Sequence, residues 1–151
     1  ALPPYPEVQI EAVIELCTGI LGRWDIPQTG IVGHSDIAPT RKEDPGEHFP
    51  WARLAETGIG LWPEINSSEG LDLIGRGLGR GDRGEAVKRM QAWLSEIGYT
   101  IEADGAFDKM TEAVVRAFQR RWVQDRVSGQ ADLLTLQMLD VVRALYAGHR
   151  R

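Results

Sequence analysis

The 151-residue sequence has one cysteine and no long apolar run, and each shortage excludes a class of protein. A single thiol, Cys17, excludes an internal disulfide framework and a cysteine-rich zinc finger. No run of about 18 apolar residues occurs, so the sequence predicts no transmembrane helix. Basic residues are outnumbered, 17 against 22 acidic ones, and a net charge of −5 argues against a general nucleic-acid-binding protein.

The first residues also lack the marks of a start or a signal. The chain begins Ala1-Leu2-Pro3-Pro4, with no methionine and no basic segment followed by an apolar one. We therefore expect either that an upstream segment has been removed or that the sequence is a piece of a longer one. A charged fraction of 26% is typical of a folded soluble protein.

Charge and composition divide the chain into two halves. Residues 1–66 have a net charge of about −6, and the remainder has about +1. Between the halves the apolar periodicity ends, and asparagine, serine and glycine follow. This composition is typical of a linker. The sequence predicts a first domain at 1–63, a linker at 64–76 and a second domain at 77–148.

The first half begins with a predicted amphipathic helix over residues 6–24. Pro6 suits the first helical turn, and Pro27 cannot continue the helix. Cys17 falls within the apolar stripe, so we expect a buried structural thiol instead of a catalytic one. The stripe has helical spacing and comprises Val13, Leu16, Cys17, Ile20, Leu21 and Trp24.

A short β-branched run follows and leads into a loop. Residues 30–33 read Gly-Ile-Val-Gly, which predicts the end of a strand. The loop at 34–46 is rich in proline, aspartate and glycine, and reactive side chains often lie on such fixed loops. A short helix at 50–56 is predicted to close the half.

The loop contains His34, Lys42 and Asp44. Imidazole and carboxylate are zinc ligands, and catalytic zinc sites commonly use three protein ligands and a water whose pKa falls to about 7. A nearby lysine can stabilise the oxyanion formed when an amide carbonyl is attacked. The spacing by itself leaves two alternatives open, a structural histidine and a solvated charged loop.

The second half contains a repeat of the pattern Gly-x-x-Asp-x-x-Thr, at 105–111 and again at 129–135. The aspartate of each copy, Asp108 or Asp132, is a good helix N-cap. The sequence therefore predicts helices at about 109–123 and 133–146. A third predicted helix, at about 84–97, has one apolar face formed by Val87, Met90, Leu94 and Ile97. Three short helices with glycine-containing connections predict a small all-α three-helix bundle.

The loop string carries a family resemblance. Residues 32–39 read Val-Gly-His-Ser-Asp-Ile-Ala-Pro, and Arg-Lys at 41–42 and Asp-Pro-Gly at 44–46 follow. This string closely resembles a motif of the zinc-dependent N-acetylmuramoyl-L-alanine amidases of the type 2 amidase family. The resemblance implies that His34 and Asp44 ligate Zn²⁺ and that Lys42 assists catalysis. It further implies an α/β fold, in which this chain supplies the C-terminal part of a mixed-sheet amidase domain.

The resemblance also implies two groups that the first half lacks. Family members have another zinc-binding histidine and a catalytic glutamate well upstream of this motif. Only 33 residues precede His34, and none is a histidine. His48, the other histidine of this half, could donate a ligand, but we expect it to be a solvent-exposed loop residue. We therefore expect the chain alone to be inactive unless a missing N-terminal segment of its own amidase domain joins it.

The second half contains a further set of motif positions: Leu78–Val87, Gln91, Leu94, Gly98–Tyr99, Asp104–Phe107, Thr111–Val114, Ala117–Gln119, Gly129, Ala131–Asp132, Thr135 and Leu139. In this order and spacing they resemble a peptidoglycan-binding domain of the three-helix type over about 76–146. The similarity implies peptidoglycan or muropeptides as partners, with the apolar positions forming the core. The candidates for ligand contact are polar or amphipathic residues near helix ends, namely Arg83, Gln91, Tyr99 and Gln119.

Three hypotheses follow. The first is a zinc hydrolase that cleaves the amide bond between N-acetylmuramic acid and L-alanine of peptidoglycan. Its C-terminal domain would tether it to the wall. The second is a non-catalytic peptidoglycan-binding protein or fragment with an incomplete amidase site. The third is a purely structural metal site at His34 and Asp44. We favour the enzyme, and its substrate implies the bacterial cell envelope: the periplasm, an outer-membrane anchor or secretion.

Overall fold

The computed structural model describes residues 3–64 and 76–149. The regular secondary structure of these residues is helical. Most of the predicted linker at 64–76 lies outside the described residues. A 3₁₀ turn at Gln28–Gly30 separates the first two helices. None of the helices in the described ranges is long and apolar enough to cross a membrane. The six α-helices of the described residues are α1 (Glu7–Arg23), α2 (His34–Ile37), α3 (Trp51–Glu56), α4 (Glu85–Ile97), α5 (Lys109–Trp122) and α6 (Leu133–His149).

The predicted α/β class is wrong for the described residues. They contain no strand, and their only β-type pairings are isolated bridges, Leu78 with Ala131 and Arg83 with Ala106. The β-branched run at 30–33 leaves its 3₁₀ turn in an extended conformation. A strand requires a neighbour to complete its ladder. Here the carbonyl of Ile31 accepts its hydrogen bond from the Arg121 side chain of α5 instead.

The first half packs around a small core beneath α1. Phe49, Trp51, Leu54 and Ile59 are buried there together with Ile10 of α1. The predicted stripe on α1 is only partly correct: Val13, Cys17 and Leu21 are partly buried against this core, together with Ile14, which the predicted stripe did not include. The Cys17 thiol is thus partly buried and not fully buried as predicted. Leu16 and Trp24 are 62% and 67% exposed, because they lie on the side of the helix that this core does not cover.

The second half is a three-helix bundle, as the sequence predicts. Its core is larger than that of the first half because all three helices contribute amphipathic faces. The helices begin and end within two residues of the predicted bounds, except that α6 continues to His149. The most completely buried side chains include Val87, Leu94, Val114, Phe118, Leu139 and Val142.

The sequence repeat corresponds to a repeated local structure. The Asp108 carboxylate accepts a hydrogen bond from the Thr111 amide at 2.8 Å, and Asp132 caps Thr135 at the same distance. The first loop is further fixed by the buried Gln91, whose Oε1 accepts from the Gly105 amide at 2.8 Å. These N-caps satisfy donors at the first turn of α5 and α6 that have no partner within the helix.

Candidate functional site

The structure brings two of the predicted site residues into contact. His34 is the first residue of α2, and its Nδ1 lies 3.1 Å from Oδ2 of Asp44. Both side chains are open to solvent, His34 by 49% and Asp44 by 62%. An imidazole nitrogen and a carboxylate oxygen therefore converge at the surface, where a third group has room to approach.

The backbone ties the two ends of this loop together. The buried Ser35 donates its amide hydrogen to the carbonyl of Asp44 at 2.9 Å. The Tyr5 hydroxyl donates to the carbonyl of Pro45 at 2.7 Å, so the segment that precedes α1 also holds the loop in place. His34 and Asp44 are neighbours because the Ser35–Asp44 hydrogen bond brings together the two ends of the nine-residue segment between them.

Lys42 lies on the same loop, close in sequence to Asp44. Its backbone amide donates to the carbonyl of Ala38 at 2.9 Å, which fixes the turn that carries it. The side chain is exposed, and no hydrogen bond or ion pair holds it within the described residues. A lysine ammonium on a flexible stem is available there for a charged or polarised ligand group.

The His34–Asp44 pair fits part of a metal site. Two atoms bound at about 2.1 Å by a tetrahedral ion lie about 3.4 Å apart, close to the observed contact between the two side chains. Within residues 3–64 and 76–149, no group of three His, Cys, Asp or Glu side chains is arranged to hold a metal ion. His48 is exposed and does not join the pair. The described residues thus supply two ligands, one fewer than catalytic zinc sites commonly use.

The predicted ligand-contact residues of the second half lie in two environments. Arg83 is exposed at the start of the bundle. Gln91 and Gln119 are 1% and 0% exposed, and their amides bond to backbone and threonine groups of the repeated loops. Tyr99 is also buried, and it contacts the first half. Ligand binding by these four residues remains a prediction.

Sequence reasoning missed the groups that join the second half to the loop. The Tyr99 hydroxyl donates to Oδ1 of Asp36 at 2.7 Å, and Nη1 of Arg121 lies 3.4 Å from Oδ2. Burial, reinforced by the Asp36 carboxylate, holds the pKa of Tyr99 well above its usual range, so the hydroxyl stays a neutral donor. Asp36 lies within the loop motif at 32–46, but no local pattern pairs it with residues 63 and 85 positions away.

Two open spaces flank this junction. A cavity of about 330 Å³ lies between the halves and is bordered by Asp36, Tyr99, Arg121 and Trp122. A groove of about 540 Å³ runs between the loop and α5, and its charged lining includes Glu43, Arg116 and Arg120. Both spaces exist only because the halves are packed together.

Comparison with known families matches the two halves separately. Residues 2–47 match the family described as "N-acetylmuramoyl-L-alanine amidase". Residues 83–139 match the family described as "Putative peptidoglycan binding domain". The first match contains the His34–Asp44 loop, and the second contains most of the three-helix bundle.

The curated relatives that the chain resembles are named as amidases. The chain is 32% identical over 143 residues to the N-acetylmuramoyl-L-alanine amidase AmiD of Escherichia coli, in an alignment that covers 95% of this chain and 50% of AmiD. The chain therefore spans about half the length of that relative. It is 44% identical over 51 residues to the 1,6-anhydro-N-acetylmuramyl-L-alanine amidase AmpD of Enterobacter cloacae, over 34% of this chain and 27% of AmpD.

Solved structures agree with these similarities. The chain superposes on AmiD from E. coli, in complex with the substrate anhydro-N-acetylmuramic acid-L-Ala-D-gamma-Glu-L-Lys, with a TM-score of 0.80 and 31% identity. That match covers 99% of this chain and 56% of the other. AMPDH3 from Pseudomonas aeruginosa matches with a TM-score of 0.75 and 27% identity, over 97% of this chain and 56% of that structure.

Proposed function

The chain joins a segment of the N-acetylmuramoyl-L-alanine amidase family to a peptidoglycan binding domain, and from this premise we propose that it is part of a peptidoglycan amidase. Its reaction is hydrolysis of the amide bond between N-acetylmuramic acid and L-alanine. The observation that carries the proposal is the 3.1 Å contact between His34 and Asp44 on a loop that also presents Lys42.

The proposed roles follow from the chemistry of these three groups. His34 and Asp44 are two ligands of a zinc ion, and both are open to solvent, as exchange of metal and substrate requires. When bound, zinc polarises an amide carbonyl and activates water. Lys42 stabilises the negative charge that develops on the carbonyl oxygen during attack. A further ligand and a general base must come from outside the described residues.

The two halves have separate tasks in this proposal. Residues 1–63 form the C-terminal part of the amidase domain. Residues 77–148 bind the wall, and the linker at 64–76 joins the two domains. Arg83, exposed on the bundle, is the proposed contact residue that is open to a sugar or peptide stem. Holding the enzyme on a polymer raises the local substrate concentration. A peptidoglycan substrate implies the cell envelope, with the periplasm, an outer-membrane anchor or secretion as the possible locations.

The number of ligands favours one alternative function. Within the described residues only two potential zinc ligands converge, so a non-catalytic peptidoglycan-binding protein or fragment is the second candidate. In that case residues 77–148 would bind wall material while the loop at 34–46 served a structural role. The two candidates differ in whether the purified protein carries zinc and hydrolyses the amide bond.

The test combines native mass, zinc content and catalysis, measured on the same sample. We expect stoichiometric zinc and release of the L-alanine amino group from an N-acetylmuramoyl-peptide when the species is larger than 16.8 kDa. His34→Gln should abolish both zinc binding and hydrolysis because it removes a ligand. His48→Gln is the matched control, since it alters an exposed histidine of the same half and should change neither.

Other results would decide between the two candidates. A protein near 16.8 kDa that binds peptidoglycan but holds little zinc would support the non-catalytic alternative. Equal zinc affinity in wild type and His34→Gln would contradict the metal site assigned to this loop.

A further inference from the structure

The second half contacts the His34–Asp44 loop through a row of polar side chains. Consecutive arginines near the end of α5 hold opposite ends of the loop: Arg121 approaches Asp36, and Arg120 donates to Glu43 at 2.9 Å. One turn later, Gln124 donates to the carbonyl of Phe49 at 2.8 Å, beyond the loop. Helix α5 therefore lies along the segment that carries the proposed ligands.

Asp36 is the point at which the two halves share a hydrogen-bond network. Its Oδ2 accepts from the amide of Gly33 at 2.8 Å, immediately before His34 begins α2. Its Oδ1 accepts from the Tyr99 hydroxyl. The Asp36 carboxylate thus connects the backbone that positions His34 to the buried Tyr99 side chain of the second half.

Burying the charged Arg121 side chain has a desolvation cost that a purely structural contact does not require. Its side chain is 3% exposed, with the guanidinium carbon 4.0 Å from the ring centre of Trp51 and 4.6 Å from that of Trp122. Nη1 donates to the Ile31 carbonyl at 2.8 Å, while Nε and Nη2 are buried without a hydrogen-bond partner within the described residues. An apolar side chain of similar volume is often as stable in such a place. The charge is explained if it fixes the position of Asp36 and the chain at Ile31.

We propose that Tyr99 and Arg121 are positioning residues: they act through Asp36 to hold His34 against Asp44. This inference rests on the proposed function only for its consequence, the affinity for zinc. The positioning itself concerns the loop without metal. The peptidoglycan-binding half would then be a structural part of the metal site as well as a tether.

The test uses the full chain and the variant Tyr99→Phe, which removes the hydroxyl and keeps the ring. Ser35 is the reporter because its amide bonds to the Asp44 carbonyl and closes the loop. Losing a hydrogen bond worth about 1 kcal/mol should speed native-state hydrogen exchange at Ser35 about fivefold. Zinc alone, titrated against the His34 ring signals, should bind with a dissociation constant raised by about the same factor.

The matched control is Gln124→Leu, which removes another hydrogen bond between the halves without touching the loop. It should leave Ser35 exchange and zinc affinity within about twofold of the wild-type values. Asp36→Asn gives a second route, since it keeps the side-chain size but weakens the contacts to Arg121 and Tyr99. Exchange at Ser35 should again accelerate.

The outcomes separate the two proposals. Unchanged Ser35 exchange in both Tyr99→Phe and Asp36→Asn would overturn the positioning role, as would an equal acceleration in Gln124→Leu. Wild-type protein whose His34 signals do not respond to zinc would support the non-catalytic alternative over the proposed amidase. Because exchange is measured without metal, that result would still leave the positioning role decided by Ser35.

Discussion

At the scale of single residues, Gly33 shows how closely the ligand loop is packed. A Cβ atom on Gly33 would lie 2.8 Å from Cδ of Pro45, 3.3 Å from Oδ2 of Asp36 and 3.4 Å from Cζ2 of Trp51. Its φ of −82° is one that any residue adopts, so the requirement for glycine is steric. The lack of a side chain lets Pro45, and with it Asp44, approach His34.

We predict that Gly33→Ala destabilises the protein and weakens zinc binding. Forcing a methyl group against a proline ring should lower the free energy of unfolding by about 1–3 kcal/mol. Gly22→Ala is the control, because it lies in α1 with nothing within 4 Å of the added Cβ, and it should be neutral or stabilising. Urea unfolding and a zinc titration measure both effects. A Gly33→Ala protein as stable as the wild type would contradict this steric requirement, because the loop would have shifted to accommodate the methyl group.

At the scale of secondary-structure elements, the caps explain why the repeat marks helix starts. The Thr111 amide donates to the Asp108 carboxylate, and this hydrogen bond is the main cause that lowers the pKa of Asp108 below its ordinary value of 3.8. A carboxylate is also favoured by the positive end of the helix dipole. The ionised carboxylate of Asp108 therefore stabilises α5 more than the protonated form does.

This dependence predicts a defined acid sensitivity. Because the pKa of folded Asp108 is depressed, its stabilisation is complete above pH 3.8 and is lost as pH falls through the lower folded pKa. Asp108→Asn keeps a capping oxygen and removes the titration, so its stability should fall less steeply than that of the wild type below pH 4. Urea unfolding from pH 2 to 7 measures the slopes. Parallel curves would contradict this account of the cap.

At the scale of the whole molecule, two small cores are joined by an aromatic and ionic seam. Trp62 packs against both cores and stacks on Trp122 with ring centres 5.7 Å apart. Beside it, Arg121 lies between Trp51 and Trp122. The first core contains few buried side chains, and a small core contributes little stability by itself. The first half therefore depends on the second for much of its stability.

We predict that the two halves unfold together in urea and that Arg121→Met separates them. Removing the cation leaves the Asp36 carboxylate buried without its ionic partner, a change of about 3 kcal/mol or more for a buried pair. Amide signals of the first half should then be lost at lower urea than those of the bundle. Arg126→Gln, which breaks an exposed ion pair with Asp132, should leave the transitions coincident. Coincident transitions in Arg121→Met would show that the seam is not what couples the halves.

The sequence by itself determined the features that depend on neighbouring residues. Apolar spacing and the Asp-x-x-Thr caps predicted the bundle helices closely, because helix periodicity and capping operate over three or four positions. The loop motif predicted the residues that the structure brings together, His34 and Asp44. The repeat did not predict that Gln91 and Gln119 would lie inside the repeated loops, since a glutamine near a helix end is more often exposed.

Only the tertiary structure decided the properties that arise between distant segments. Residues 30–33 have the composition of a strand, yet no strand of the described residues pairs with them, and α5 provides the hydrogen-bond donor at the Ile31 carbonyl instead. The contacts of Asp36 with Tyr99 and Arg121 join residues 63 and 85 positions apart. Local periodicity contains no information about such pairs, because the packing of two complete halves brings them together. The surroundings of the candidate metal ligands therefore depend on the fold of the whole described chain.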